Sequence, residues 1–385
     1  MTAVALSDPI ATARSLAPLI IEEAERTESG GTLSPAVVSA FHETGMFGLV
    51  VPAVLGGTEA DAVTTLAVFE ELSRADPSTG WSLLANTCTS AFAGAFCGDA
   101  AVKEMFTGVA LPVHAGMLGP RGQAVPVDGG YRVSGRFSFG SGTGHADWIG
   151  AGTLVTGASG PVVDESGLPD MRVTFLPRES VSFLGNWDVL GLVGTGSYDY
   201  AIDDVFVDAG FTFPLIGAEI RRGGPVYLLG VLGLTSIGHC GFALGVARRA
   251  LEEAAAAAPR KVKMGGMAAV ADDPLFRRDF AVQDAALRSA RAYSFEVFGQ
   301  AMDKALSGSE PGVELDQRLR QATTSATRVA AEVVRTAYGW LGTEGIRPGA
   351  LQRCLRDMET ASQHIFVDES TFTQAGPVLM TGYTS

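Results

Sequence analysis

Apolar residues are spaced in three different ways along this chain, and each spacing predicts a different kind of structure. In the first hundred or so residues they recur at helical intervals, as with Leu66, Phe69 and Leu72. Helices are predicted over residues 8–27, from Ser34 to just before Gly45, around Leu66–Leu72, over 78–96 and over 100–106. Ser34-Pro35 and Asp76-Pro77 each put an N-cap acceptor before a proline at the first helical position. Thr58 with Asp61 resembles a capping box.

From about Leu111 the period falls to two. Tyr131, Val133, Gly135, Phe137 and Phe139 alternate with Arg132, Ser134, Arg136 and Ser138, as in a strand with one buried face. Further strands are predicted over 148–155, 171–177, 181–187 and 198–207, with turns at 119–122 and 128–130 and an exposed loop over 156–170. Helical spacing returns from about Gly224, over 227–258, 273–307, 315–337 and 350–375. The pattern therefore predicts an α+β chain: an N-terminal α-helical domain (1–110), a central small antiparallel β-barrel or sandwich (111–215) and a C-terminal four-helix bundle (216–385).

Composition narrows the function. With 46% hydrophobic and 18% charged residues, the 385-residue chain is globular. A net charge of -14 repels phosphate, which argues against nucleic acid or an anionic membrane as partner. Residues 225–247 carry no charge and are long enough to span a bilayer. They hold five glycines with Thr235, Ser236 and His239, so a helix buried on all sides is expected instead. Cys88, Cys97, Cys240 and Cys354 lack metal-ligand spacing and read as buried thiols, with no metal site expected. The N-terminus has no signal-peptide pattern, so a cytoplasmic location is expected. Arg260, Lys261 and Lys263 form a basic cluster near a helix end, a solvated charge run or a phosphate contact.

The stretch most open to chemistry is Gly140-Ser141-Gly142-Thr143-Gly144-His145. Glycine at alternate positions lets backbone approach a flat ligand, with hydroxyls between to meet its polar edge. The same run also suits a glycine-rich hairpin.

Four motifs stand in order along the chain: residues 75–81 (ADPSTGW), 130–148 (GYRVSGRFSFGSGTGHADW), 187–207 (WDVLGLVGTGSYDYAIDDVFV) and 355–366 (LRDMETASQHIF). With them the sequence resembles the acyl-CoA dehydrogenase superfamily from about Ile20 to Leu379. Its wording is similar to the reduced-flavin-dependent branch, the oxygenase components of two-component monooxygenases. The departures from dehydrogenases agree. The position of the proton-abstracting glutamate, eight residues after Asp357, holds Ile365 with His364 beside it. The alternative position, near Thr235 or Ser236, is not acidic, and Glu369, one helical turn on, is the carboxylate left as an alternative base.

The resemblance implies that reduced flavin (FMNH2 or FADH2) and O2 oxidise a small aromatic or heteroatom-containing substrate through a C4a-hydroperoxide. The alternative is an FAD-dependent dehydrogenase acting on an acyl thioester. By resemblance, His364 is the catalytic base and the Ser141 hydroxyl meets flavin N5. Ala115, Gly116 and Met117 would offer backbone N–H groups to the flavin, joined by Gly142, Thr195, Gly196 and Ser197, although Val193 replaces an arginine common there. Trp81, Asn86 and, as a secondary candidate, His239 would line the substrate pocket; several such oxygenases carry a histidine close to Asn86. No G-x-G-x-x-G fingerprint is present, so reduced flavin would come from a separate NAD(P)H-dependent reductase. The resemblance also implies a homotetramer.

Overall fold

A computed structural model describes residues 5–108, 110–163, 167–262 and 265–383. Lys263 and part of the 156–170 loop therefore lie outside the described residues. The chain opens with helices α1 (Pro9–Gly30), α2 (Pro35–Thr44), α3 (Ala62–Ala75), α4 (Pro77–Phe96) and α5 (Asp99–Met105). Local chemistry sets their starts. Ser34 Oγ accepts from Val37 N–H, and Asp76 accepts from Thr79 N–H, both ahead of a first-turn proline. At α3 the cap is Asp61, which accepts from Val63 and Thr64; Thr58 instead accepts from Leu6 N–H, so the expected capping box does not form.

The strands are β1 (His114–Val127), β2 (Gly130–Gly140), β3 (Trp148–Gly157), β4 (Gly160–Pro161), β5 (Met171–Pro177), β6 (Ser182–Gly185), β7 (Tyr198–Asp208) and β8 (Thr212–Pro214). They form a sheet in the order β6-β7-β2-β1-β3-β5-β8, with β4 added on β3. The expected antiparallel barrel is corrected on two counts. β6 and β8 are separate edges, and β1 pairs parallel with β3. That parallel pair also explains why 119–122 is not a turn. The strand runs through it, and the glycine and proline there produce register shifts between Met117, Pro120 and Gly122.

Alternation in β2 fails at its end. Phe139 is 60% exposed at φ +66°, because the register against β7 shifts between Phe137 and Gly140. A bulky side chain at positive φ is strained backbone, and it sits just before the Ser141 turn.

The bundle comprises α6 (Gly230–Ala257), α7 (Pro274–Leu306), α8 (Val313–Leu341), and a fourth arm divided into α9 (Ala350–Ala361) and α10 (Ser370–Thr381). The single helix expected over 350–375 is thus broken at 362–369, and a short 3-10 turn occupies Ile365–Val367. The apolar segment that runs into α6 is long and apolar enough to cross a membrane, yet 78% of its most apolar stretch is buried in the fold. Close approach makes this possible: a Cβ on Gly241 would lie 2.6 Å from Phe69 Cβ, and one on Gly245 2.3 Å from Glu70 O. α4 is buried along almost its whole length and packs on both β1 and α6, so it joins the sheet to the bundle.

Candidate active site

The site is built where α4 passes between the Ser141 turn and α6. Trp81, 6% exposed, donates its Nε1–H to Ser141 Oγ at 3.0 Å. Its ring meets His239 and Phe242 of α6 edge-on at 5.0 Å each, and His364 at 5.7 Å. His239 and His364 lie 4.5 Å apart, and Phe366 stacks on His239 at 5.3 Å. The break in the last arm is what turns His364 and Phe366 towards α6. The sequence reading named Trp81, Ser141, His239 and His364, and the structure brings all four together. It missed Phe242 and Phe366. A signal for Phe242 was present, since it lies three residues after His239 on one helix face.

The two imidazoles are neutral at neutral pH. Burial pushes His364 down to about 4, and burial followed by the neighbouring His364 pushes His239 well below its ordinary value. His364 Nδ1 accepts from Phe366 N–H at 3.2 Å, so its neutral ring carries the proton on Nε2. As placed, the ring presents a donor. The expected base role therefore requires His364 to release Phe366 first. Glu369, the alternative base, is 76% exposed at its side chain and paired with Arg328 at 3.4 Å.

Asn86 is fully buried, and its amide is spent. Nδ2 donates to the carbonyls of His114 (3.2 Å) and Gly142 (3.3 Å), which leaves Oδ1 to accept from His145 Nε2–H at 2.8 Å. Asn86 is thus a clamp on the glycine-rich turn, not a wall of the pocket. Gly142 fits it closely, at φ +75°; a Cβ there would lie 2.5 Å from Asn86 Nδ2.

Two further expectations are corrected. Residues 114–117 are paired with β3, and Met117 N–H is taken by Tyr200 Oη at 2.9 Å. Ala115 is fully buried and Gly116 packs on Gly150, so this strand does not present a free row of amides to a ligand. Thr195 and Ser197 are also buried, 0% and 1% exposed, and hydrogen-bonded to each other at 2.6 Å. Gly196 packs against Thr32. These three support Ser141, whose Oγ meets Ser197 Oγ at 2.8 Å.

The loop before them is held by the last arm. Asp357 Oδ1 accepts from Leu192 N–H at 2.5 Å, with Leu192 at φ +56°. Burial raises the Asp357 carboxyl to about 7, against the Leu192 hydrogen bond, and nearby Asp76 adds to the rise. Arg356 ties the same loop to α1 through Leu190 O and Glu28. In the basic cluster, Arg260 bonds Ala256 O and Lys261 approaches Glu344 at 3.6 Å. Among the described residues no group of three or more His, Cys, Asp or Glu is placed to hold a metal.

Comparison with known proteins agrees with this geometry. Residues 11–109 match the acyl-CoA dehydrogenase N-terminal domain, and residues 237–369 the acyl-CoA dehydrogenase C-terminal domain. An indole-3-acetate monooxygenase from Pseudomonas putida is 34% identical over 345 residues, 89% of this chain and 86% of that protein. The oxygenase subunit HsaA of a flavin-dependent monooxygenase from Rhodococcus jostii is 28% identical over 379 residues, 91% of this chain and 92% of that protein. The crystal structure of 3-HSA hydroxylase from Rhodococcus sp. RHA1 superposes with a TM-score of 0.88 over 97% of both chains at 24% identity, which shows a shared fold.

Proposed function

The chain belongs to the acyl-CoA dehydrogenase superfamily, among its flavin-dependent monooxygenases, and from that premise we propose that it oxygenates a small planar aromatic compound of the indole type. It is a flavin-dependent oxidoreductase, the oxygenase component of such a system, and uses reduced flavin with O2. Reduced flavin, FMNH2 or FADH2, would supply the two electrons that activate dioxygen, one atom of which reaches the substrate while the other leaves as water.

The residues present fit that cofactor. Ser141 is half-buried, and its oxygen keeps one lone pair outside the hydrogen bonds described above. Exposed Phe139, two residues before Ser141, and Trp187, which meets it edge-on, give the approach an apolar rim. The flavin edge would rest on Ser141.

The observation that carries the substrate reading is the cluster of rings that Trp81, His239, Phe242, His364 and Phe366 form beside Ser141. Its polar groups are two neutral imidazoles, so it favours a flat, uncharged ring with one or two hydrogen-bonding atoms. A carboxylate of Glu369 does not reach it, which removes support for proton abstraction from a thioester. His364 Nε2–H would hold a substrate heteroatom, while Trp81 fixes the ring edge and α4 excludes water.

A separate NAD(P)H-dependent reductase would supply the reduced flavin. Homotetramer formation is supported by exposed Leu275, Val282 and Leu306 on α7 and Val313 on α8. The four buried free thiols suit the cytoplasm. The test is product formation from indole-3-acetate and from a phenol of similar size, with a flavin reductase, NADH and air. Turnover of the indole compound supports the reading; turnover of neither contradicts it.

A further inference from the structure

Four polar side chains from three separate segments form one line: Trp81 Nε1 to Ser141 Oγ (3.0 Å), Ser141 to Ser197 (2.8 Å), Ser197 to Thr195 (2.6 Å), and Thr195 Oγ1 to Leu192 O (2.7 Å). A hydroxyl donates either way, but the two ends do not. Indole Nε1–H only donates, and a carbonyl only accepts. Thr195 must give its proton to Leu192, because two bare oxygens would otherwise face each other at 2.7 Å. Ser197 must then give its proton to Thr195, and Ser141 must give its own to Ser197. The line has a single direction, and Ser141 is left with a lone pair and no proton to offer.

The geometry points to a redox-state filter: Trp81, Ser197 and Thr195 make Ser141 an obligate acceptor, so that the site prefers reduced over oxidised flavin. This rests on the reading that the flavin edge lies on Ser141. Reduced flavin carries hydrogen on N5 and donates it. Oxidised flavin presents a lone pair at N5, which would meet the lone pair of Ser141. Buried hydroxyl lines polarise along their length, so fixing the far end at Leu192 fixes the near end. Leu192 O is itself pinned by Trp187 Nε1–H at 3.0 Å, and Leu192 N–H by Asp357. Ser141 would touch the cofactor; Trp81, Ser197 and Thr195 are positioning residues.

The full-length protein is titrated with oxidised FMN and FAD, and anaerobically with the dithionite-reduced forms. The wild type is expected to bind the reduced form about tenfold more tightly, roughly the worth of one net hydrogen bond. Ser197→Ala and Thr195→Val each free the Ser141 proton to turn towards N5, and the preference should fall towards unity. Thr195→Ser keeps the hydroxyl and should keep the preference, which separates direction of bonding from packing. Circular dichroism confirms that each variant is folded. An unchanged preference in both Ser197→Ala and Thr195→Val, or none in the wild type, overturns the filter while catalytic turnover leaves the oxygenase reading standing. A folded wild type that binds neither form overturns both.

Discussion

Replacing Asn86 by alanine distinguishes a clamp from a pocket wall. The change strands three buried groups: the carbonyls of His114 and Gly142 and the Nε2–H of His145. Each buried polar group left without a partner costs about 1–3 kcal/mol, and water entering the space left by the side chain offsets part of that. A total of about 3–5 kcal/mol is expected, a large part of the roughly 5–15 kcal/mol by which proteins are stable. For a chain of this length that lowers Tm by about 4–6 °C, from roughly 2 cal/mol/K of unfolding entropy per residue. Because Gly142 adjoins Ser141, reduced-flavin affinity should fall by about tenfold in the same variant. Differential scanning calorimetry and anaerobic flavin titration measure the two effects. A Tm within about 1 °C of wild type, with only the substrate KM raised, would refute the clamp and return Asn86 to the wall of the pocket.

Two other outcomes are expected. His364→Ala should cut product formation by about a hundredfold or more while leaving flavin binding nearly intact, since a proton-handling or orienting group typically contributes that much; unchanged turnover would remove His364 from the mechanism. Stability should fall as pH drops from 6.5 towards 4. Burial lowers His114 to about 3, His145 and His364 to about 4 and His239 well below the ordinary value, so below pH 6.5 the unfolded chain binds protons that the folded chain refuses. Asp76, Asp316 and Asp357, raised mainly by burial, act in the opposite sense, losing stability as pH rises, but four imidazoles outnumber three carboxyls. The net slope should be at least about 1.4 kcal/mol per pH unit, read from urea unfolding at several pH values. A flat profile across that window would contradict the buried neutral imidazoles.

What was legible in the sequence was what neighbours along the chain decide. Ser34 and Asp76 mark their helices because a cap bonds an amide two or three residues on. The 119–122 turn and the closed barrel were misread because the parallel partner of β1 lies some thirty residues away. The break at 362–369 carries no glycine or proline. It is stabilised locally by the His364 side chain accepting from Phe366 N–H, a bond that composition does not announce. Motif resemblance located Trp81, Ser141 and His364, while His239 was a secondary candidate outside the motifs. The partners that spend Asn86 and Met117 come from segments distant in sequence, as does the Ser141 hydroxyl that meets Ser197, so the sequence alone read these residues as ligand contacts.

The most direct test of the oxygenase assignment is where the product's oxygen comes from. Reduced flavin, isotope-labelled dioxygen and indole-3-acetate are mixed with the protein in unlabelled water, and the product is weighed by mass spectrometry. Incorporation of one labelled atom per product molecule is predicted. Product carrying only unlabelled oxygen, or a desaturated product with none added, would contradict the account.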